Sequence, residues 1–368
     1  MPVADITMKI EKGTVRAPEI GRMWFNSPPL SLRQLRGKVV LIDFWDYTCV
    51  NCVRTLPYLK AWHEKYFAKG LVVIGIHTPE FTFAQYESNV ERGIREFGLE
   101  YPVVSDNNYE LWKAFANRAW PSKYLIDKDG YARYAHMGEG AYQETEREIQ
   151  GLLRESNPRV ELPPVMEPLR PEDYPGAVCF QASPELYLGH RRGRIGNSDG
   201  FQEDRSADYA LPFAAPAEAQ EGVFYLAGRW SSTAEFIESS AGAEESRIVL
   251  RYSAAAVNVV MAANRTSSAE VFVRQDGHSL SRALATSDIS FQSSELQSSR
   301  LQQSKLGVAS QPEESVIVVT RPRMYALLDN GSFGEHTLEL TCRTPGVAVY
   351  AFTFTGCVSK PGRQDKGQ

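Results

Sequence analysis

The chain carries two kinds of hydrophobic pattern, one in each half. In residues 1–155, near-continuous apolar runs alternate with stretches of three- and four-residue spacing. The runs "KVVLIDFW" (38–45) and "LVVIGI" (71–76) predict strands buried on both faces. Between them Val53, Leu56, Leu59, Trp62 and Tyr66 recur at helical spacing, which predicts an amphipathic helix. Residues 84–97 predict a second helix, with Glu87, Glu91 and Arg95 on one face. "YPVV" (101–104) predicts a short strand and "NYELWKAFANR" (108–118) another helix. "KYLID", "KDG" and "YARYAHM" then predict a strand, a tight turn and a strand. "AYQETEREIQGLLRES" (141–156) closes the half as a polar-faced helix. Alternation of this kind predicts an α/β unit, residues 1–156, with a largely parallel sheet.

Residues 157–176, "NPRVELPPVMEPLRPEDYPG", hold six prolines. Proline removes amide donors and fixes a backbone angle, so this stretch predicts an extended linker. From residue 177 to 358 the helical period is gone. Short β-branched and aromatic runs take its place: "GVFYLAGRW", "SRIVLRYS", "VNVVMA", "AEVFVRQDG", "ESVIVVT", "RMYALL", "HTLELTC" and "VAVYAFTFT". Turn residues punctuate them, which predicts an all-β sandwich or jelly roll. Half of residues 287–310 are Ser or Gln, and such a stretch predicts a long mobile loop. Residues 359–368 read as a disordered tail.

Composition changes this picture little. The 368 residues fit two domains, and 43% hydrophobic with 23% charged residues is ordinary for a globular protein. A net charge of −5 offers no electrostatic basis for nucleic acid or an anionic membrane as partner. No apolar run approaches the ~20 residues of a membrane span, and the first residues lack the apolar core of a secretory signal. The chain as given therefore reads as cytoplasmic, and an extracytoplasmic place stays open if its N-terminus is trimmed.

The chemistry concentrates in "FWDYTCVNCVRTLP" (44–57), where Cys49 and Cys52 stand two residues apart. The five cysteines, with Cys179, Cys342 and Cys357, are too few for a disulfide scaffold. A closed zinc site needs four ligands, and no second Cys-x-x-Cys or close-spaced His pair supplies them. No metal or cofactor is expected. Two buried thiols without chemistry are the bland alternative. The redox alternative makes demands that the flanks meet. The pair sits where a buried strand runs into a helix, and there free amides and the helix dipole favour a thiolate at Cys49. Cys52, one turn on, is placed to be more buried and to reach back.

With its flanks, "LIDFWDYTCVNCVRTLP" resembles the thioredoxin superfamily. Asp43 stands six residues before the first cysteine, at the position of that family's buried acid, and Trp45 matches a tryptophan of its active-site strand. Pro57 matches the helix-kink proline. In "NRAWPSKYLID", Pro121 matches the proline that the family holds in cis opposite the disulfide. More narrowly, "FWDYTCVNCVRTLPYLKAWHEKYFAKGLVVIGIHTPEF" is similar to TlpA-like domains attached to DipZ-type proteins. "PELYLG" and "HTLELTCRTPGVAVYAFTFTG" resemble the β-rich domain that follows them. The resemblance runs from about residue 17 to 358. It implies a thioredoxin-like α/β fold followed by a jelly-roll-like β-domain. The sequence departs from the family at Thr48, where thioredoxin has Trp, and at Val50-Asn51, where it has Gly-Pro. The membrane electron-transfer domain of full DipZ-type proteins is not in this chain.

The resemblance implies a thiol–disulfide oxidoreductase acting on protein substrates and fed by an upstream electron donor. Cys49 attacks, Cys52 resolves, Asp43 carries the proton of Cys52, and Pro121 shapes the substrate groove. Trp45, Trp120 and Glu80 are groove candidates, although each also reads as core or as a solvated loop residue. In the second half Trp230, Tyr187 and Tyr252 either line a carbohydrate-like groove or fill the core, and a Cys342–Cys357 bridge is open. Two competing functions remain. A peroxiredoxin-like peroxidase uses Thr-x-x-Cys, but here Asp46 stands three residues before Cys49. The other is a binding or scaffold module with a secondary redox domain.

Overall fold

The computed structural model describes residues 5–21, 23–242, 245–293 and 313–358. The chain divides into two units, Met1–Pro175 and Gly176–Gln368.

In the first unit, β1 (Ile6–Lys9) and β2 (Met23–Phe25) precede the first apolar run, which forms β3 (Val39–Trp45). All seven side chains of β3 are buried, as a strand packed on both faces requires. Next come α1 (Val50–Tyr66), β4 (Leu71–His77), α2 (Glu87–Phe97), β5 (Val103–Ser105) and the short α3 (Glu110–Ala114). The hairpin β6 (Ser122–Ile126) and β7 (Ala132–Met137) leads to α4 (Tyr142–Ser156). The sheet order is β1-β7-β6-β3-β4-β5-β2.

The expectation of a largely parallel sheet is corrected. Only β3–β4 and β4–β5 pair in parallel, while β1–β7, β2–β5, β3–β6 and β6–β7 are antiparallel. Helical crossovers impose parallel pairing on the centre alone. A tight turn reverses the chain between β6 and β7, and the N-terminal segment adds both edge strands. One face of the sheet packs Val40, Ile42, Phe44 and Ile76 against Leu111 and Phe115. Helices α4 and α1 contact β3 and β4.

The proline-rich stretch of this unit is bound to its helices. Gln150 donates to the Pro163 carbonyl at 2.7 Å, and Lys65 to the Pro164 carbonyl at 2.6 Å. The Met166 amide donates to Glu146 at 2.9 Å, and Arg170 pairs with Glu139 at 2.7 Å. Lacking amides at its prolines, the segment uses carbonyls and side chains in place of a ladder.

The second unit is all β. Its strands begin with β8 (Val178–Cys179), β9 (Leu186–Tyr187), β10 (Ser206–Tyr209), β11 (Phe224–Ser232) and β12 (Ile237–Ser239). They continue with β13 (Ser246–Ala263), β14 (Ala269–Gln275), β15 (His278–Ser279) and β16 (Ile289–Ser293). The last are β17 (Glu313–Val319), β18 (Arg323–Cys342), β19 (Val347–Thr355) and β20 (Cys357–Val358). Strands β9 to β19 form one 11-stranded sheet, while β8 and β20 pair separately.

Three expectations for this half change. "SRIVLRYS" and "VNVVMA" are one strand, β13, and "RMYALL" and "HTLELTC" both lie in β18. Their mutual register shifts between Ala254 and Ala256 and between Val257 and Asn258, and such bulges break the alternation that a sequence pattern needs. Second, residues 289–293 of the Ser/Gln-rich stretch form β16, paired with β17. The rest of that stretch, and the tail at 359–368, lie outside the described residues. Third, Trp230 and Tyr252 are fully buried in the core of the unit, with the Trp230 indole donating to Ala227 O at 2.9 Å. They line no groove, and only Tyr187 of that trio is partly exposed.

Candidate functional site: the Cys49–Cys52 disulfide

Helix α1 begins where β3 ends, and Cys49 is its N-cap, in extended conformation. Its amide donates to Asp46 O at 3.2 Å and its carbonyl accepts from the Val53 amide at 3.0 Å, which starts the helix. The sulfur of Cys49 is bonded to that of Cys52 and accepts from the Cys52 amide at 3.2 Å. Cys49 is half-buried, whereas Cys52 is 1% exposed. The less buried cysteine of the pair is therefore the one at the helix N-terminus, where a thiolate is stabilised, and Cys52 is shielded from solvent. Pro57 lies inside α1.

Asp43 is buried on β3, and neither carboxylate oxygen has a hydrogen-bond partner among the described residues. Burial pushes its carboxyl up to about 7, and the positive charge of Lys123 works in the opposite direction. Lys123 is the residue opposite Asp43 in the β3–β6 pairing, and its side chain is fully buried. Burial pulls its ammonium below the usual lysine range, against the charges of Asp43, Glu139 and Asp5. On β4 the residue beside Asp43 is Gly75, where a Cβ would stand 2.9 Å from Nε1 of Trp45. Only glycine leaves room there for the indole. Tyr101, also fully buried, feels the Asp43 charge, and its phenol is raised well above its ordinary range, chiefly by burial.

A second buried acid sits in the turn. Asp46 accepts from the Thr48 amide at 2.7 Å and hydroxyl at 2.6 Å through one oxygen, and from the Glu80 amide at 2.8 Å through the other. These bonds tie the strand–helix turn to the loop after β4. Burial raises the Asp46 carboxyl, and the three hydrogen bonds oppose that. Nε2 of His77 lies 3.9 Å from Asp46, and burial pulls this imidazole down to about 3, so it is neutral. Tyr47 stacks on it at 5.6 Å.

Trp120 and Pro121 are joined by a cis peptide. The Pro121 carbonyl accepts from the Gly138 amide at 2.8 Å. Trp120 is half-buried, packs on Trp112 at 4.2 Å and donates to Thr78 O at 3.1 Å. Glu80 is half-buried, two residues beyond Thr78. Trp120, just before β6, thus binds the loop after β4 that carries Glu80. Trp45, considered for the groove, is instead fully buried, with its ring edge-on to His77 at 5.3 Å. Its place on a strand covered on both faces leaves it no solvent-facing side. Sequence reasoning missed Lys123 and Asp46. Lys123 is the one charged letter in "SKYLI", a strand buried throughout, and that was the available signal.

Among the described residues no group of three or more His, Cys, Asp and Glu is placed to hold a metal ion, and no helix is long and apolar enough to cross a membrane. The other disulfide joins Cys179 to Cys357, and Cys342 is a free, buried thiol. This corrects the Cys342–Cys357 pairing left open by the sequence: Cys342 faces the core, while β8 brings Cys179 opposite Cys357.

A redox disulfide at the N-cap of a helix that follows a central parallel strand, on a sheet completed by an antiparallel hairpin, defines the class. The first unit is a thioredoxin-superfamily domain of the TlpA-like, DipZ type, and a distinct β-rich domain follows it. The AhpC/TSA family model matches residues 16–135. The thioredoxin-like C-terminal domain model matches residues 183–304 and 300–355. The chain is 38% identical over 248 residues to Protein DipZ of Mycobacterium bovis and of Mycobacterium tuberculosis, covering 66% of this chain and 34% of theirs. It thus spans about a third of the length of those relatives. It is 29% identical over 129 residues to the thiol-disulfide oxidoreductase ResA of Bacillus anthracis, covering 35% of this chain and 69% of that protein. Among solved structures, a putative thiol:disulfide interchange protein DsbE from Chlorobium tepidum aligns at 22% identity and TM-score 0.35, covering 38% of this chain and 96% of that one.

Proposed function

We propose that this protein is a thiol–disulfide oxidoreductase that exchanges its Cys49–Cys52 couple with disulfides or dithiols of protein substrates. The observation that carries the reading is the asymmetry of the couple, one cysteine half-buried at a helix N-cap and the other fully buried. In the reducing direction the Cys49 thiolate attacks a substrate sulfur and expels one substrate thiolate. Cys52 gives its proton to Asp43, attacks the Cys49 sulfur and expels the second. The couple ends oxidised and the substrate reduced, with two electrons transferred. An upstream dithiol donor restores it. A sandwich or jelly-roll form for the β-unit, holding a protein or carbohydrate-like ligand, belongs to the same proposal. Its support is the strand alternation and the resemblance of that half. The Cys179–Cys357 disulfide favours an oxidising compartment over the cytosol, because structural disulfides persist there.

The test is a Cys52→Ser variant, which lacks the resolving thiol. It should hold its substrate as a mixed disulfide on Cys49, visible as a shifted band without reductant and absent with it. Failure to capture any protein from a lysate of the source cell, with Cys49 shown to be free, counts against exchange with proteins.

The AhpC/TSA match favours a second reading, a thiol peroxidase. The position three residues before Cys49 is taken by Asp46, whose oxygens are engaged by Thr48 and Glu80. Hydrogen peroxide given to the reduced protein should therefore be consumed no faster than by a small dithiol at equal thiol concentration. Rapid catalytic consumption would establish the peroxidase instead.

A further inference from the structure

The sheet of the first unit is unevenly covered. Helix α3 has only five residues, about 7.5 Å at 1.5 Å per residue. Its end lays Phe115 against Phe44 and Tyr124, with ring centroids 5.5 and 5.3 Å apart. The next residue, Ala116, takes a left-handed φ of 50°, which ends the helix. Beyond it, on the same face, a cleft of about 390 Å³ opens over β7 and β1. The cleft exists because its floor, Ala132 and Ala135 of β7, and its wall, Ala114 and Ala116, carry side chains too short to fill it. At its rim Ile6, Met8 and Val15 are 39%, 41% and 48% exposed, so apolar surface continues from the floor to the solvent.

The charge of the cleft has one sign. Its lining holds two charged side chains, Arg16 and Arg118, and no carboxylate. Both are exposed, which places them at the mouth. The Arg16 guanidinium donates to the Tyr131 hydroxyl at 2.8 Å and lies 4.4 Å from the centre of that ring. Its segment is pinned to the start of β7, with the Ala132 amide donating to Val15 O at 2.8 Å and the Ala17 amide to Gly130 O at 3.1 Å. Arg118 stands near Tyr124: burial raises that phenol above its ordinary range and the Arg118 charge opposes the rise. Among the described residues neither guanidinium has a carboxylate partner. An apolar cleft with two unneutralised cations at its mouth suits a ligand with an apolar body and an anionic head.

We propose that this cleft binds a small amphipathic carboxylate, a medium-chain fatty acid, with its head on Arg16 and Arg118 and its chain over the floor of β7. A hydrocarbon chain fits the lining better than a peptide does. A peptide brings amide groups, and apolar side chains leave those unpaired. The one phenol of the lining, Tyr124, already donates to Asn117 Oδ1 at 3.1 Å. The site makes no use of the Cys49–Cys52 couple.

The test titrates decanoate into the full chain at neutral pH, below the concentration at which it forms micelles, and follows the heat of binding. One saturable site is expected, weakening about fourfold for each methylene removed through octanoate and hexanoate. An Arg16→Ala/Arg118→Ala chain should bind decanoate about tenfold more weakly and decanol no differently from wild type. Should that chain fail to fold, Arg118→Ala alone supplies the same comparison, with a weakening of a few fold. Ala114 is exposed on α3, so an Ala114→Trp chain should keep its fold, fill the cleft and lose decanoate binding. No saturable decanoate binding overturns the proposal. So does equal affinity for decanoate and decylamine, or decanoate binding that the arginine substitutions leave unchanged. A dimer seen by sedimentation that Ala114→Trp dissociates and decanoate does not would give the cleft to a second copy of the chain, which also overturns it.

Discussion

Replacing Cys49 with serine is expected to cut insulin-disulfide reduction at least about a hundredfold, to near the uncatalysed rate, because loss of a nucleophile removes the whole covalent pathway. A serine hydroxyl at the same N-cap accepts the Cys52 amide as sulfur does, so the helix start is kept. What it does not supply is a thiolate. The variant also loses the Cys49–Cys52 bond, a short loop whose closure is worth roughly 2 kcal/mol in the chain-entropy account. The proper comparison for folding is therefore the reduced wild type, which lacks the same bond. Against that reference, urea unfolding should show a stability change of less than about 0.5 kcal/mol, since the site is half-buried. Activity within about twofold of wild type in a folded Cys49→Ser chain would remove Cys49 from the nucleophile role.

How far the sequence reached depends on what each residue faces. Strand β3 and helix α1 were legible because their apolar positions form unbroken or helically spaced patterns, and the cysteine pair lies at their junction. Strand β1 was not, because all four of its side chains are exposed and it joins β7 through backbone pairing and one Thr7–His136 hydrogen bond, which no apolar pattern records. The mixed sheet was hidden for a related reason: β3 pairs with β6 across some eighty residues, and no local pattern records that partnership. Among site residues, the couple and Asp43 could be placed from the motif. Lys123 could not be assigned a role, because a lysine in a strand usually points to solvent and its meaning appears only when β6 sets it opposite Asp43. The cysteines of the β-unit show the same limit. Cys342 and Cys357 are close in sequence, yet Cys342 at the end of β18 faces the core and the terminal pairing selects Cys179.

The Lys123–Asp43 arrangement leads to the second large effect. Asp43 titrates at about 7 in the fold but near 3.8 in the unfolded chain, because burial disfavours its charged form. Below the unfolded value both states hold the proton and the group contributes nothing to pH dependence. As pH rises from there to about 7, the unfolded chain ionises while the folded one does not, so unfolding releases a proton and stability is lost. At about 1.4 kcal/mol per pKa unit the accumulated loss reaches about 4 kcal/mol, and it stays constant at higher pH. The amide of an Asp43→Asn variant has no such titration. The stability of that variant relative to wild type should accordingly grow between about pH 4 and pH 7 and then level off. Above about pH 7, where Asp43 is ionised in the fold, removing the carboxylate also leaves the buried Lys123 ammonium without its counter-charge. That cost offsets part of the gain in absolute stability but leaves the sign of the slope unchanged. The same substitution should slow the release of mixed disulfides on the order of a hundredfold near neutral pH, since an amide cannot take the Cys52 proton. Urea unfolding of both proteins across this pH range, with single-turnover release measured alongside, decides the matter. Parallel stability curves would mean that Asp43 is already ionised in the fold well below pH 7, and release by the Asp43→Asn variant at the wild-type rate would remove the proton-carrier role.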